Sequence, residues 1–179
     1  TLAAFDQLKQ QGKIRAYGAS HLDATQLQQS IEAAKKINVP HYQVLQPEYN
    51  LYDRQGFEEQ LKPICIEHEI GVVSYYSLAS GFLSGKYRDL DQIKGSKRAD
   101  SLSKYFTPRG ERILKALDLV AERHNAKLAD IALAWVLTRE GITAPIASAT
   151  TVEQIESFSK ALGLKLTADD LQILEVDSQ

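Results

Sequence analysis

The chain has no methionine, one cysteine and one tryptophan among its 179 residues. A lone cysteine excludes an intrachain disulfide and fits a reducing, cytoplasmic setting. Cys65 stands in "KPICIEHE" without a His or Asp spacing that marks a nucleophile, so it is expected to be a small core residue on a helix. An excess of one charge is lacking too: 21 Lys and Arg against 23 Asp and Glu give a formal net charge of −2. That removes the electrostatic case for binding nucleic acid or an anionic membrane surface. No run is long and apolar enough to span a bilayer, and no charged segment followed by an apolar one reads as a signal peptide. A chain opening on Thr1, already in helical text, is expected of a processed product or of part of a longer one. What is present, 44% apolar and 25% charged residues, suits a soluble globular chain with a sizeable core.

Leu2, Phe5 and Leu8 recur at helical spacing, and Gly12 follows where a helix ends. "KIRAYGAS", "HYQVLQ", "VVSYYS" and "APIAS" read as strands. Helices are expected over "ATQLQQSIEAAKKI" (capped by Asp23), "FEEQLKPICIEHE", "RGERILKALDLVAERHN", "LADIALAWVLTRE", "TTVEQIESFSKALG" and "LTADDLQILEVDS" (capped by Thr167, with Asp170 completing a capping box). Pro63 is tolerated only near a helix start or at a kink. Asp89 to Pro108 is polar and irregular, and reads as a long loop. Trp135 is expected in the core. Strand and helix alternate, no strand shows clean polar alternation, and each crossover is long enough to return the chain parallel. The fold class is therefore α/β, in a single domain. Four such strands cannot close a βα barrel, which has eight. The chain is either a small open α/β layer or half of something larger.

In parallel α/β folds, ligands gather at the carboxyl ends of the strands. Here those ends read "GASH", "LQPEYN", "YYSLASG" and "ASATT". They offer the Ser20 hydroxyl, the His21 imidazole, the Gln46 amide, the flat ring of Tyr75, and the hydroxyls of Thr150 and Thr151 before a helix start, which suits a phosphate. As a set they would hold an aromatic amide and a phosphorylated nucleotide.

The stretches "KIRAYGAS", "LQPEYNLYDR", "SYYSLASGFLSGKYR" and "IALAWVL" followed by "PIASATTVEQI" resemble, in order and with compatible gaps, motifs of the aldo-keto reductase family. The resemblance covers essentially the whole chain. It implies a (β/α)8 TIM barrel of which this chain forms strands five to eight, the carboxyl-terminal half. It implies NADP(H)-dependent reduction of a small carbonyl substrate by hydride transfer. By the resemblance, Ser20, His21 and Gln46 hold the nicotinamide carboxamide and Tyr75 stacks on the nicotinamide ring. Leu78, Ser80 and Gly81 wrap the pyrophosphate through backbone N–H groups, with Lys86 and Arg88 steadying phosphates. Ser148, Ala149, Thr150 and Gln154 meet the adenosine phosphate. Tyr49 and Asn50 line the substrate mouth or pack the loop. Tyr105, Phe106, Lys94, Lys97 and Arg98 lie in a loop that in relatives folds over the cofactor.

The chain departs from the family pattern in three places. His21 stands where the family has Asn, and cannot donate and accept in one plane as an amide does. Gln154 and Phe158 stand where many members place an Arg and an Asn against the adenosine end. A neutral amide gives up a charge-assisted bond, so NAD(H) remains possible beside NADP(H). The family's Asp, Tyr, Lys and His tetrad matches no residue here, so the catalytic positions of this chain are none and little activity is expected of it alone. The alternatives are a catalytically silent NADP(H)-binding module, as in potassium-channel β-subunits, and a half barrel that self-associates or pairs with a missing amino-terminal half.

Overall fold

A computed structural model describes residues 1–95 and 99–178; Lys97 and Arg98 lie outside the described residues. The chain opens with α1 (Leu2–Gln10), stopped by Gly12 at a left-handed φ of +70°. There follow β1 (Gly18–Ser20), α2 (Ala24–Lys36), β2 (Val44–Gln46), α3 (Lys62–Glu67) and β3 (Gly71–Ser74). The second part holds α4 (Ala99–Ser103), α5 (Pro108–Arg123), α6 (Leu128–Leu137), β4 (Ala144–Pro145), α7 (Val152–Gly163) and α8 (Ala168–Ser178). The four strands form one parallel sheet in chain order, β1-β2-β3-β4, and the sheet is not closed. Gly18 is required where β1 meets β2, because a Cβ there would lie 2.4 Å from the Val44 carbonyl oxygen.

The strands are shorter than their apolar text. "KIRAYGAS" pairs only over Gly18–Ser20, and "APIAS" only over Ala144–Pro145. Gly18 and Ser20 are exposed, so β1 is not buried on both sides as its sequence leads one to expect. An edge strand has a neighbour on one side alone, which accounts for both findings.

Local chemistry explains the helix boundaries. The Asp23 carboxylate accepts from the Gln26 N–H at 2.7 Å while the Gln26 amide oxygen accepts from the Asp23 N–H at 3.0 Å, a reciprocal cap for α2. The helix expected over residues 57–69 begins instead as a π turn, Gly56–Leu61, and becomes α-helical only at Lys62. Pro63 has no N–H to donate back to the preceding turn, and the widened register, with the Lys62 N–H on the Phe57 carbonyl, brings the chain to it. The segment read as a polar loop holds a 3₁₀ turn, Asp91–Ile93, and α4, pinned by buried Ile93, Leu102 and Tyr105. Three apolar anchors so far apart leave no periodicity to read.

Between sheet and helices lies one main core, with Trp135, Tyr49, Phe82, Leu117 and Ile131 at its centre. Trp135 is fully buried, as expected, stacked on Tyr49 at 5.6 Å with the Arg54 and Arg139 guanidiniums 4.8 and 5.1 Å from its ring centroid. Cys65 is buried and helical, and burial pushes its thiol up to about 11, as befits an inert core residue. The last helix is held by named polar contacts. The Arg54 Nη1 donates to the Ser178 hydroxyl at 2.5 Å, the Arg109 Nε to the Ser178 carbonyl at 3.1 Å, and Arg139 pairs with Glu175.

Candidate functional site

The site forms around Tyr75, just past β3. Its N–H donates to the Pro47 carbonyl at 2.9 Å and its carbonyl accepts from the Tyr49 N–H at 3.3 Å, so the chain beyond β2 fixes its backbone. Its ring, half-buried, faces His21 at 5.1 Å between centroids, with its hydroxyl 3.4 Å from the His21 Nδ1. His21 takes a left-handed φ of +58°, a region where Asn is several-fold enriched. Beside this pair the Ser20 hydroxyl donates to the Gln46 carbonyl at 3.0 Å. Ser20 and Gln46 are register partners across β1 and β2, which is why residues 26 apart in the chain meet. All four residues expected at an aromatic amide therefore sit together at the strand ends.

Tyr75 separates two clefts and lines both. The second, of about 990 Å³, gathers Leu78, Ser80, Gly81, Lys86, Ser148, Thr150 and Gln154 of the expected residues. Ala149, half-buried between Ser148 and Thr150, is not among its lining residues.

The turn after β3 uses some of its backbone N–H groups internally. Ala79 and Ser80 have φ of +50° and +58°, which costs of order 1–3 kcal/mol each for residues other than glycine. The Ala79 N–H is taken by the Tyr76 carbonyl at 2.7 Å, and the Gly81 and Leu83 N–H groups by the Leu78 carbonyl at 2.9 and 3.2 Å. Those three amides bond within the turn, so of the expected donors the Gly81 N–H is already taken, and the Ser80, Ser84 and Lys86 residues line the cleft. Arg88 is also reassigned: its guanidinium makes two 2.8 Å bonds to Asp118 of α5, because the planar fork matches a carboxylate. At the far end the Gln154 amide oxygen accepts from the Thr150 N–H at 2.7 Å, which ties the first turn of α7 back to the loop before it.

The first cleft, of about 1040 Å³, is lined near Tyr75 by His21, Pro47, Glu48, Tyr52 and Asp53. Tyr49 and Asn50 do not line it. Both are fully buried: Tyr49 donates to Glu58 at 2.6 Å, and the Asn50 oxygen accepts from the Tyr52 and Asp53 N–H groups at 2.8 Å. Lys104, from the segment expected to be loop, lies 3.4 Å from both Glu48 and Asp53. Burial and the neighbouring Asp53 raise the Glu48 carboxyl above its ordinary range, against the pull of Lys104. The Tyr75 hydroxyl is raised as well, by burial first and then by Glu48. Tyr105 is no mobile cover: it is fully buried, stacks on Phe82 at 5.3 Å and donates to Asp53 at 2.8 Å. Among the described residues no group of His, Cys, Asp and Glu could hold a metal ion.

A model of the "Aldo/keto reductase family" matches residues 1–176. The chain belongs to the aldo/keto reductase family. Curated relatives include the "NADH-specific methylglyoxal reductase" of Escherichia coli, 28% identical across 97% of this chain and 52% of the relative. A "putative voltage-gated potassium channel subunit beta" of Schizosaccharomyces pombe is 31% identical across 96% and 52%. "Protein tas" of Escherichia coli is 30% identical across 100% and 52%. The chain thus spans about half the length of the curated relatives it matches. The crystal structure of a thermostable aldo-keto reductase with the inhibitor epalrestat superposes with a TM-score of 0.71 at 24% identity, over 98% of this chain and 53% of that one. The likeness shows the TIM-barrel fold, of which the four-stranded sheet is the part present.

No described helix is long and apolar enough to cross a membrane. Lys127 and Ser101 line the second cleft although nothing near them in sequence resembles a nucleotide motif. They arrive from the α5–α6 turn and from α4, and only the packing of those elements brings them in.

Proposed function

We propose that this chain is the dinucleotide-holding half of a cytoplasmic aldo-keto reductase, binding NADP(H) for the reduction of a small carbonyl compound. The observation that carries it is the second cleft, which starts at the Tyr75 ring and ends at Thr150 and Gln154. Its lining suits a dinucleotide: the flat ring of Tyr75, hydroxyls of Ser80, Ser84, Ser148 and Thr150, and the lysines Lys86 and Lys127, while Ser20, Gln46 and His21 lie outside it, with His21 on the other side of the Tyr75 ring. A dinucleotide bound here would supply the hydride. This chain orients it: Ser20 and Gln46 address the carboxamide, and Tyr75, held against His21, presents a face for the ring. Lys86 offers positive charge to the phosphates. Gln154 is neutral and already satisfied by Thr150, and one relative is named as NADH-specific, so NAD(H) is the second cofactor to test.

Measured by the fluorescence of NADPH titrated with the chain, Tyr75→Ala weakens binding by roughly 1–2 kcal/mol, about tenfold, through loss of the stacking ring. Unchanged affinity refutes the assignment. The chain alone turns over little carbonyl substrate, since no residue here corresponds to the family's proton donor; turnover equal to an intact reductase refutes the half-enzyme reading.

A silent cofactor-binding module is the second reading, favoured by the relative named as a channel β-subunit. In either reading the open sheet needs cover. Exposed β1 residues at one edge, and exposed Ile146, Val152 and Ile155 beside β4 at the other, suit a complementary half barrel or a second copy. Light scattering on the isolated chain is expected to give more than the 19.9 kDa of one copy. A monomer at all concentrations argues against self-association.

A further inference from the structure

The second cleft carries two ammonium groups, Lys86 and Lys127. They come from neighbouring places: Gly85 packs so tightly on Leu128 that a Cβ on the glycine would lie 2.7 Å from the Leu128 Cδ2. One lysine therefore follows, and the other precedes, a single contact between the turn after β3 and the start of α6. Lys86 is placed over the Tyr87 ring at 5.2 Å. Lys127 lines the same cleft as Ser148, Thr150, Glu153 and Gln154. It makes no ion pair among the described residues, although the Glu153 carboxylate is close enough to feel its charge. The Asp130 carboxylate accepts from the Lys127 backbone N–H at 2.9 Å, the Ser148 and Thr150 hydroxyls line the same cleft, and the Gln154 oxygen is occupied by Thr150.

We infer that Lys127 is a specificity-determining residue of the cleft: it supplies the charge that Gln154 lacks and selects a nucleotide bearing a phosphate on its adenosine ribose. This rests on the dinucleotide reading above. An ammonium is a point charge on a flexible stem, so it can reach a phosphate from a neighbouring element without the fixed fork of an arginine. Glu153 opposes it, and removing that carboxylate frees the lysine for the phosphate.

The test titrates NADPH, NADH, 2′,5′-ADP and 5′-ADP into the chain and its Lys127→Ala, Lys127→Arg and Glu153→Gln variants, with circular dichroism as the check on folding. Lys127→Ala is expected to weaken NADPH and 2′,5′-ADP about tenfold and to leave NADH and 5′-ADP within twofold. Lys127→Arg restores the preference, and Glu153→Gln strengthens it. Equal weakening of all four ligands, or of none, overturns the inference and leaves the dinucleotide reading standing. Failure of the unmodified chain to bind any of the four overturns both.

Discussion

Gly110→Ala should lower the stability of the chain by about 3 kcal/mol, read as a fall of about 10 °C in the thermal midpoint. Helix propensity alone points the other way, since alanine is better than glycine by about 1 kcal/mol inside a helix. Contact geometry decides against it. Gly110 is buried in the first turn of α5, and a Cβ there would lie 1.9 Å from the Tyr105 carbonyl oxygen and 3.0 Å from the Phe82 Cζ. The carbonyl is backbone and cannot swing away, and Tyr105 and Phe82 are themselves fully buried and stacked. Relief would require moving the segment that carries Lys104 and Tyr105, and with it the Asp53 cluster beside the first cleft. Gly163, at the end of α7 with nothing within 4 Å of its would-be Cβ, is the internal control. Gly163→Ala should be neutral or stabilising by up to about 1 kcal/mol. Equal effects at both positions would remove the steric explanation.

Asp170→Asn should cost about 2–3 kcal/mol at neutral pH, in the manner of a buried pair that loses one partner. Asp170 is 2% exposed. It accepts from the Thr167 N–H at 3.0 Å and hydroxyl at 2.8 Å, lies 2.7 Å from the His124 Nε2, and pairs with Arg123 at 3.2 Å. These contacts tie the start of α8 to the end of α5. Burial alone would raise its pKa, but the bonds from His124, Thr167 and Arg123 outweigh burial and hold the carboxyl well below the usual carboxylate range. The folded value therefore lies below the unfolded one, and the unfolded chain binds the extra proton as pH falls. The contribution is fully present above about pH 4 and is lost progressively on further acidification. Denaturant midpoints of the two proteins should differ at pH 6 and converge toward pH 3. A gap that keeps its size down to pH 3 would contradict the assignment.

Sequence alone determined the order of the strands and of the longer helices, the α/β class, the Asp23 cap, the capping box at Thr167, and the core place of Cys65. These depend on interactions a few residues apart or on composition. It also brought Ser20, Gln46 and Tyr75 together, because each lies at or just past the end of a parallel strand, and strand ends in one sheet are brought side by side. Tertiary structure decided what long-range partners decide. Arg88 turned to Asp118, the Ala79, Gly81 and Leu83 amides bonded within their own turn, and Tyr49 and Asn50 went into the core. The supposed loop was anchored by Ile93, Leu102 and Tyr105, Lys104 met the carboxylates of Glu48 and Asp53, and Lys127 reached the second cleft from another element. A side chain's periodicity reports which face it occupies, but its partner is chosen by whichever charged or apolar group the fold sets opposite, and that choice is not written within the same stretch of chain.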